Sequence, residues 1–173
     1  MKFIINKKKI LFLTSTRADF GKLKSLIKIL KTRKEFEVYI VITGMHVLEK
    51  FGNTYLEVKK HFRSKIIKFK NQSLGDRLEI ILSKTSEKLS RIVKKIEPDL
   101  IIIHGDRVEA LACALVGSLN HILTAHIEGG EVSGTIDDTI RHAVTKLSHI
   151  HFVGSPAAKN RITKMGEIKK HIF

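Results

Sequence analysis

Short apolar runs alternate with amphipathic stretches along this chain. The runs are four or five residues long and rich in Ile, Leu and Val, which is typical of strands buried on both faces of a sheet. They predict six strands, at residues 10–13, 38–42, 65–69, 100–103, 122–125 and 150–153. The clearest helical pattern covers residues 78–96, where apolar side chains recur every three or four positions before Pro98 ends the helix.

The alternation of strands and helices predicts the fold class. Successive βαβ units give an α/β, Rossmann-like domain: a doubly wound parallel sheet with helices on both faces. A chain of 173 residues fits one domain with a hydrophobic core, and no linker or repeat divides it, so we predict a single domain over residues 1–173. Ligands of such sheets bind at the carboxyl ends of the strands.

The overall charge is strongly basic, with 32 Lys and Arg against 17 Asp and Glu and a net charge of +15. The lysines are spread along helices and strands, and no Trp and two Tyr leave little for base stacking. We therefore predict a solvated basic surface and no specific nucleic-acid partner, although its field would attract a polyanionic ligand.

The single cysteine excludes an internal disulfide. Cys113 lies in an apolar helical stretch, which predicts a packing role and a reducing, cytoplasmic compartment. The apolar run at 10–13 is shorter than the about 7–15 residues of a signal-peptide core. No run approaches the roughly 20 apolar residues of a membrane span, so no membrane partner is predicted.

One segment runs against the basic trend. Residues 99–158 hold seven acidic and three basic side chains, a net charge of −4. Its acids follow the fourth and fifth predicted strands or open the next helix: Asp106, Glu128, Glu131, Asp137 and Asp138. Since the carboxyl ends of parallel strands share one edge of the sheet, these acids are candidates for a common site.

Two kinds of chemistry suit these acids and the nearby His104, His126 and His142. A metal site is disfavoured, because no HExxH-type spacing occurs and His104 shares a side with Asp106 only if the strand continues through Gly105. Acid–base chemistry without a metal is favoured, since clustered carboxylates raise the pKa of one another. A third interpretation, that histidines satisfy backbone groups at strand ends, is preferred for His121, His149 and His151.

The helix after the fifth strand has a structural explanation for its acids. Thr135 and Asp138 have the spacing of a capping box, and a helix N-terminus stabilises both Asp137 and Asp138. Two acids followed by Arg141 and His142 exceed what capping requires, so function is favoured. These charges are predicted on the helix face opposite Ile136, Ile140, Val144 and Leu147.

The first strand is followed by Thr-Ser-Thr-Arg17, in a turn that leads into a helix. Backbone N–H groups and the helix dipole make this a phosphate position, with Arg17 as a phosphate contact or as an ordinary surface arginine. No GxGxxG motif occurs, so no dinucleotide cofactor is predicted.

Five motifs occur in order at residues 15–21 (STRADFG), 43–46 (TGMH), 104–107 (HGDR), 126–131 (HIEGGE) and 133–142 (SGTIDDTIRH). Together they resemble UDP-N-acetylglucosamine 2-epimerases over about residues 9–153. The string from 130 to 142 is similar to the hydrolysing branch, which feeds the synthesis of sialic-acid-type sugars. The resemblance is specific because all five motifs stand in the family's order.

The resemblance implies a reaction without cofactor or metal. UDP leaves C1 as the C2 proton is removed, and water adds to the resulting glycal with inverted configuration at C2, releasing N-acetylmannosamine. The implied catalytic acids are Asp106, Glu128 and Asp137. The implied substrate contacts are Arg17, His46, Arg107, Glu131, Asp138, Arg141 and His142. Which acid takes the C2 proton is left open.

The resemblance also implies a second domain, because family members pair two doubly wound domains as in a glycosyltransferase-B-type fold. This chain is expected to correspond to the first domain, without the C-terminal nucleotide-binding domain, and to turn over weakly or not at all alone. One alternative is an epimerase of a diacetylated UDP-sugar. Another is a non-catalytic module of the same fold that binds a partner chain or a second copy of itself.

Overall fold

The computed structural model describes residues 7–173, so the predicted start of the domain at Met1 lies outside the described residues. Six parallel strands form one sheet in the order β3-β2-β1-β4-β5-β6. The strands are β1 (Lys8–Thr14), β2 (Phe36–Ile42), β3 (Ile66–Lys68), β4 (Leu100–His104), β5 (Leu123–Ile127) and β6 (Ile150–Phe152). All six predicted strands are confirmed.

The described part of the chain holds six helices: α1 (Arg17–Thr32), α2 (Tyr55–His61), α3 (Leu78–Ile96), α4 (Val108–Leu119), α5 (Ile136–Lys146) and α6 (Pro156–Lys164). Short 3-10 segments cover Gly44–Val47, Glu49–Phe51 and Lys169–His171. The predicted helix over 78–96 is confirmed as α3. Within residues 7–173, no helix is long and apolar enough to cross a membrane.

Alternate residues of the central strands serve two separate cores, because side chains of a strand point to opposite faces of the sheet. On one face, Leu11 and Ile101 pack with α3 and α4. On the other, Phe12 and Ile102 pack with α1 and α2. Helices therefore cover both faces, and the doubly wound fold class is confirmed. Cys113 packs in the first core as predicted, and burial raises the pKa of its thiol to about 12.

The order in which strands join the sheet changes direction at β1. Strands β2 and β3 lie on one side of β1, and β4, β5 and β6 lie on the other. Strand β1 pairs with β2 on one side and with β4 on the other, so the connections that follow β1 and β4 run to opposite faces. This switch point leaves a crevice at the carboxyl ends of the two strands, where ligands of open α/β sheets bind. The segments after Thr14 and His104 border it.

Candidate active site

A cavity of about 180 Å³ lies in the crevice at this switch point. Wider grooves occur elsewhere, such as one of about 550 Å³ along residues 47–50 and 70–74, but they lack a comparable set of acids. The site is assigned to the smaller cavity because charged groups from four segments meet there. Its lining is Thr16, Ala18, Asp19, His104, Gly105, Asp106, Arg107, Glu128, Glu131 and Arg141.

Arg141 holds three of the predicted segments together. Its guanidinium donates to the Asp106 carboxylate, to the Glu131 carbonyl at 2.8 Å and to Asp138 Oδ1 at 3.0 Å. Arg141 is 8% exposed and its burial lowers the pKa of the guanidinium. The prediction that Arg141 lies on the helix face opposite Val144 is wrong, because residues three apart share one side of a helix and both side chains are buried.

Strand β4 ends at His104, and Gly105 turns the chain with φ +76°. The strand therefore does not continue through Gly105. The metal-site hypothesis required that continuation to put His104 and Asp106 on the same side, so this condition is not met. Among residues 7–173, no group of three His, Cys, Asp or Glu side chains is placed to hold a metal ion.

Glu128 lies between two cationic or protonatable groups. Lys22 Nζ is 3.1 Å from Oε1, and His104 Nε2 is 3.1 Å from Oε2, although the second contact lacks hydrogen-bond alignment. Partial burial opposes ionisation of Glu128, but the Lys22 hydrogen bond and the charge of His104 outweigh it and lower the pKa. The predicted mutual raising of carboxylate pKa values is wrong for Glu128, because its carboxylate faces basic groups rather than another acid.

Lys22 was missed by the sequence reasoning, although it reaches the predicted acid Glu128. The chain is rich in lysine, so nothing in the composition distinguishes this one. Its one signal is its position on α1, five residues after Arg17, which places it within the first turns of the helix that leads away from the crevice.

Asp138 does not form the predicted capping box with Thr135. Its carboxylate accepts from Ser133 N and Gly134 N, both at 2.7 Å, whereas the Thr135 side chain accepts from Asp137 N at 3.2 Å. The Ser133 backbone bond is the main cause of a lowered Asp138 pKa, which partial desolvation opposes. A complete capping box is found instead at α1, between Thr16 and Asp19.

Asp137 and His142 lie outside the cavity lining. Asp137 is exposed at the start of α5 and accepts from Thr135 Oγ1 at 3.2 Å. His142 is half-buried, and its Nδ1 has no hydrogen-bond partner among residues 7–173. The structure therefore brings together Asp106, Arg107, Glu128, Glu131 and Arg141, with Asp138 joined through Arg141.

The first loop already contains an anion of its own. The buried Asp19 carboxylate accepts from Ser15 N at 2.9 Å, Ser15 Oγ at 2.9 Å and Thr16 N at 3.0 Å. The amides of Ser15 and Thr16 belong to the turn that is predicted to bind a phosphate. The Arg17 side chain is largely exposed, and its Nε lies 3.4 Å from Glu57 Oε2. A phosphate at this loop would therefore find Ser15 N and Thr16 N already engaged.

His46 is fully buried behind the loop. Its Nε2 lies 2.9 Å from Thr14 Oγ1 and its Nδ1 lies 2.7 Å from Thr54 Oγ1. Burial lowers the pKa of His46, with Asp19 acting in the opposite direction. A direct substrate contact by His46 would require these bonds to open.

His126 is a buried residue of β5 rather than a residue after the strand. Its Nε2 donates to the Gly105 carbonyl at 2.8 Å, and its Nδ1 lies 3.1 Å from Thr145 Oγ1. Gly129 packs over this pair, since a Cβ there would come within 2.9 Å of His126 Nδ1. Burial lowers the pKa of His126 to about 4, so the ring is neutral near pH 7.

His126 predicts a pH dependence of stability. The unfolded chain gains a proton on this ring as the pH falls below 6.5, whereas the folded chain resists protonation until about pH 4. His126 should therefore lower the free energy of unfolding by about 3 kcal/mol between pH 7 and pH 4. Urea unfolding at four pH values, compared with His126→Gln, measures this slope. Equal slopes in both proteins would contradict the prediction.

The other histidines differ among themselves. His149 Nδ1 accepts from Thr124 N at 3.2 Å, which fits the structural interpretation. His151 is buried and lies 3.1 Å from Glu167 Oε2, a side chain rather than a backbone group. His121 is exposed with φ +55°.

The molecule is thus a doubly wound α/β domain whose switch-point crevice holds carboxylates paired with cations. The sequence profile of the family described as UDP-N-acetylglucosamine 2-epimerase matches residues 28–173. The chain belongs to this family.

Two curated relatives illustrate the similarity. A UDP-N-acetylglucosamine 2-epimerase of Neisseria meningitidis serogroup B is 48% identical over 165 residues, which are 95% of this chain and 44% of the relative. A GDP/UDP-N,N'-diacetylbacillosamine 2-epimerase (hydrolyzing) of Campylobacter jejuni is 37% identical over 98% of this chain and 45% of the relative. The chain spans less than half the length of both relatives.

Solved structures support the fold. The Methanocaldococcus jannaschii UDP-GlcNAc 2-epimerase in complex with UDP-GlcNAc and UDP aligns with a TM-score of 0.85 and 24% identity, over 95% of this chain and 45% of that one. Acinetobacter baumannii MurG aligns with a TM-score of 0.64 and 16% identity, over 87% and 42%. The fold is equivalent to the first domain of a glycosyltransferase-B-type protein.

Proposed function

We propose that this chain is the domain that carries the catalytic acids of a hydrolysing UDP-N-acetylglucosamine 2-epimerase. The overall reaction converts UDP-N-acetylglucosamine and water into N-acetylmannosamine and UDP. The observation that carries the proposal is the meeting of Asp106, Glu128 and Arg141 at the switch point, each from a separate family motif. The name of the Campylobacter jejuni relative, a hydrolyzing enzyme, supports the hydrolysing branch.

The electrostatics suit the first half of this reaction. The C2 proton is not activated by a carbonyl, so departure of UDP builds positive charge at C1 that nearby anions stabilise. Glu128 is ionised near neutral pH because its pKa is lowered, and it can act as that anion or as the base for the C2 proton. Asp106, held by Arg141, presents a second carboxylate in a fixed position.

The other predicted residues, together with Lys22, have different roles in this proposal. Arg17 and Lys22 supply charge for the diphosphate, since two of the loop amides, Ser15 N and Thr16 N, already donate to Asp19. Asp137, exposed at the start of α5, is the third proposed catalytic acid. His46 positions the first loop through Thr14 and Thr54. Glu131 and Asp138 orient Arg141, and His142 lies one residue beyond it on α5.

Residues 1–173 form one domain in this proposal, and the rest of the relatives' length supplies most contacts to uridine and diphosphate. Without those contacts the crevice is open to water and little binding energy is available for catalysis. The chain alone is therefore expected to release UDP slowly or not at all. A reducing cytoplasmic compartment fits the free, buried Cys113.

A second candidate substrate is a diacetylated UDP-sugar. The Campylobacter jejuni relative, named for a diacetylated sugar, is 37% identical to nearly the whole of this chain. The catalytic acids would serve both substrates, because the reaction at C1 and C2 is the same. A partner-binding module without catalysis would keep the fold but need none of the carboxylate–cation pairs at the crevice.

A hybrid enzyme tests the proposal. It joins residues 1–173 to the remaining part of the Neisseria meningitidis relative, which shares 48% identity over the matched region. The hybrid is offered UDP-N-acetylglucosamine or UDP-N,N'-diacetylbacillosamine, and products are followed by proton and phosphorus NMR. We expect UDP and free N-acetylmannosamine from the first substrate. Formation of UDP-N-acetylmannosamine would contradict the hydrolysing branch, and preference for the second substrate would favour the alternative.

A further inference from the structure

Glu109 is a fully buried carboxylate that the proposed chemistry does not use. It stands in the first turn of α4, two residues after the cavity-lining Arg107. Burial of a charged group costs several kcal/mol unless partners compensate it. A favourable helix dipole explains an acid at this position, but an exposed acid would gain from the dipole as well.

Three groups surround the Glu109 carboxylate. Arg107 Nε donates to Oε2 at 3.4 Å, and Asn71 Nδ2 donates to Oε1 at 3.3 Å. Gly44 provides the space, because a Cβ at that residue would come within 2.8 Å of Oε1. Asn71 is itself fixed, since its Oδ1 accepts from Gly44 N at 3.0 Å. Asn71 therefore holds one carboxylate oxygen, and Arg107, which lines the cavity, holds the other.

The chain contains a second copy of this local arrangement. Arg77 and Glu79 open α3 with the same spacing, and the backbone of Arg77 (φ −72°, ψ 151°) matches that of Arg107 (φ −73°, ψ 152°). The α3 pair is exposed on both sides, at 82% and 57%. Local geometry thus explains the pairing in both helices, but it does not explain why Glu109 is buried beside the cavity.

Arg107 is the one member of the pair that lines the cavity. Within residues 7–173, the hydrogen bond to Glu109 is the only one made by its guanidinium, and it uses Nε. The two Nη groups are therefore left for an anion. When the Nε of an arginine is already held by a hydrogen bond, less side-chain entropy is lost as its two Nη groups bind a phosphate.

We propose that Glu109 is a positioning residue, which holds Arg107 for the diphosphate of a sugar nucleotide. The inference rests on the proposed function, since it takes the diphosphate as the ligand of Arg107. The coupling between the Glu109 carboxylate and the Arg107 guanidinium does not depend on the proposed function, because it concerns the stability of the fold alone.

The first test uses the 173-residue chain and thermal unfolding of Arg107→Ala, Glu109→Gln and the double variant. Arg107→Ala should lower Tm, because it leaves a buried carboxylate without its cation. Glu109→Gln, which keeps the shape, should restore Tm in the Arg107→Ala background. Independent, additive shifts in Tm would overturn the coupling, whether or not the chain takes part in an epimerase.

The second test measures KM and kcat of the hybrid with UDP-N-acetylglucosamine. Glu109→Gln should raise KM about tenfold with little change in kcat, and should have no further effect once Arg107 is alanine. The matched control, Glu79→Gln in α3, should leave both constants unchanged. An unchanged KM for Glu109→Gln, or an added loss in the Arg107→Ala background, would overturn the positioning role. A hybrid without turnover would count against the proposed function, and the Tm cycle would then decide the coupling.

Discussion

Asp106→Asn is expected to lower kcat of the hybrid by about 10²- to 10⁴-fold, the range for loss of an acid–base or charge-stabilising group. Asparagine keeps the size of the side chain but removes the negative charge that faces the cavity. The measurement is UDP release at saturating UDP-N-acetylglucosamine. The loss should appear in kcat because the charge matters most as positive charge develops at C1.

The control for this prediction is Asp99→Asn. Asp99 belongs to the same acidic segment of the sequence, but it lies at the amino end of β4. Its carboxylate accepts hydrogen bonds from Lys8 Nζ and Lys9 N. Its replacement should change kcat less than twofold. If both variants lost activity equally, the effect would belong to the overall charge of the segment and not to the crevice.

Arg141→Lys is expected to reduce both stability and turnover. Lysine keeps the charge but cannot reach the Asp106 carboxylate, the Glu131 carbonyl and Asp138 together, as the planar guanidinium does. Weakening this nearly buried ion network should lower the free energy of unfolding by about 2–4 kcal/mol. Urea unfolding of the 173-residue chain measures the change.

Arg91→Lys is the matched control for Arg141→Lys. Arg91 forms an exposed pair with Glu87, four residues earlier on α3, and such pairs contribute little. Its replacement should change the free energy of unfolding by less than about 0.5 kcal/mol. An equally small effect of Arg141→Lys would show that the three segments are held by other contacts.

The sequence predicted the strands, the long helix α3 and the edge that carries the site. These features follow from local patterns: runs of Ile, Leu and Val for buried strands and a three- to four-residue repeat for α3. The rule that ligands bind at the carboxyl ends of parallel strands then placed Asp106 and Glu128 at one edge, and both line the cavity.

The pairing of the acids could not be predicted, because it depends on contacts between distant segments. Lys22 reaches Glu128 across more than one hundred residues of sequence, and Arg141 reaches Asp106 from α5. The expectation that neighbouring carboxylates raise each other's pKa failed at Glu128 for this reason. The burial of Glu109 is likewise invisible in the sequence, since Arg77–Glu79 has the same spacing and is exposed.

Local signals also misled at two helix starts. Thr135 and Asp138 have the spacing of a capping box, but the Asp138 carboxylate accepts from Ser133 N, Gly134 N and Arg141 instead. At α1 the box between Thr16 and Asp19 is complete, and Asp19 occupies two of the amides predicted for a phosphate, Ser15 N and Thr16 N. In both places a carboxylate of the chain, Asp138 or Asp19, accepts from backbone N–H groups whose partners could not be predicted from the sequence.

The central claim is that this chain supplies the catalytic acids and that the remaining part of its relatives' length supplies the substrate contacts. The most direct measurement is UDP release from UDP-N-acetylglucosamine by residues 1–173, by the separately purified remaining part of the Neisseria meningitidis relative, and by both together. We expect turnover from the mixture, little from each part alone, and none above background from a mixture that carries Asp106→Asn. Equal UDP release by residues 1–173 alone, or a mixture indifferent to Asp106→Asn, would contradict the account.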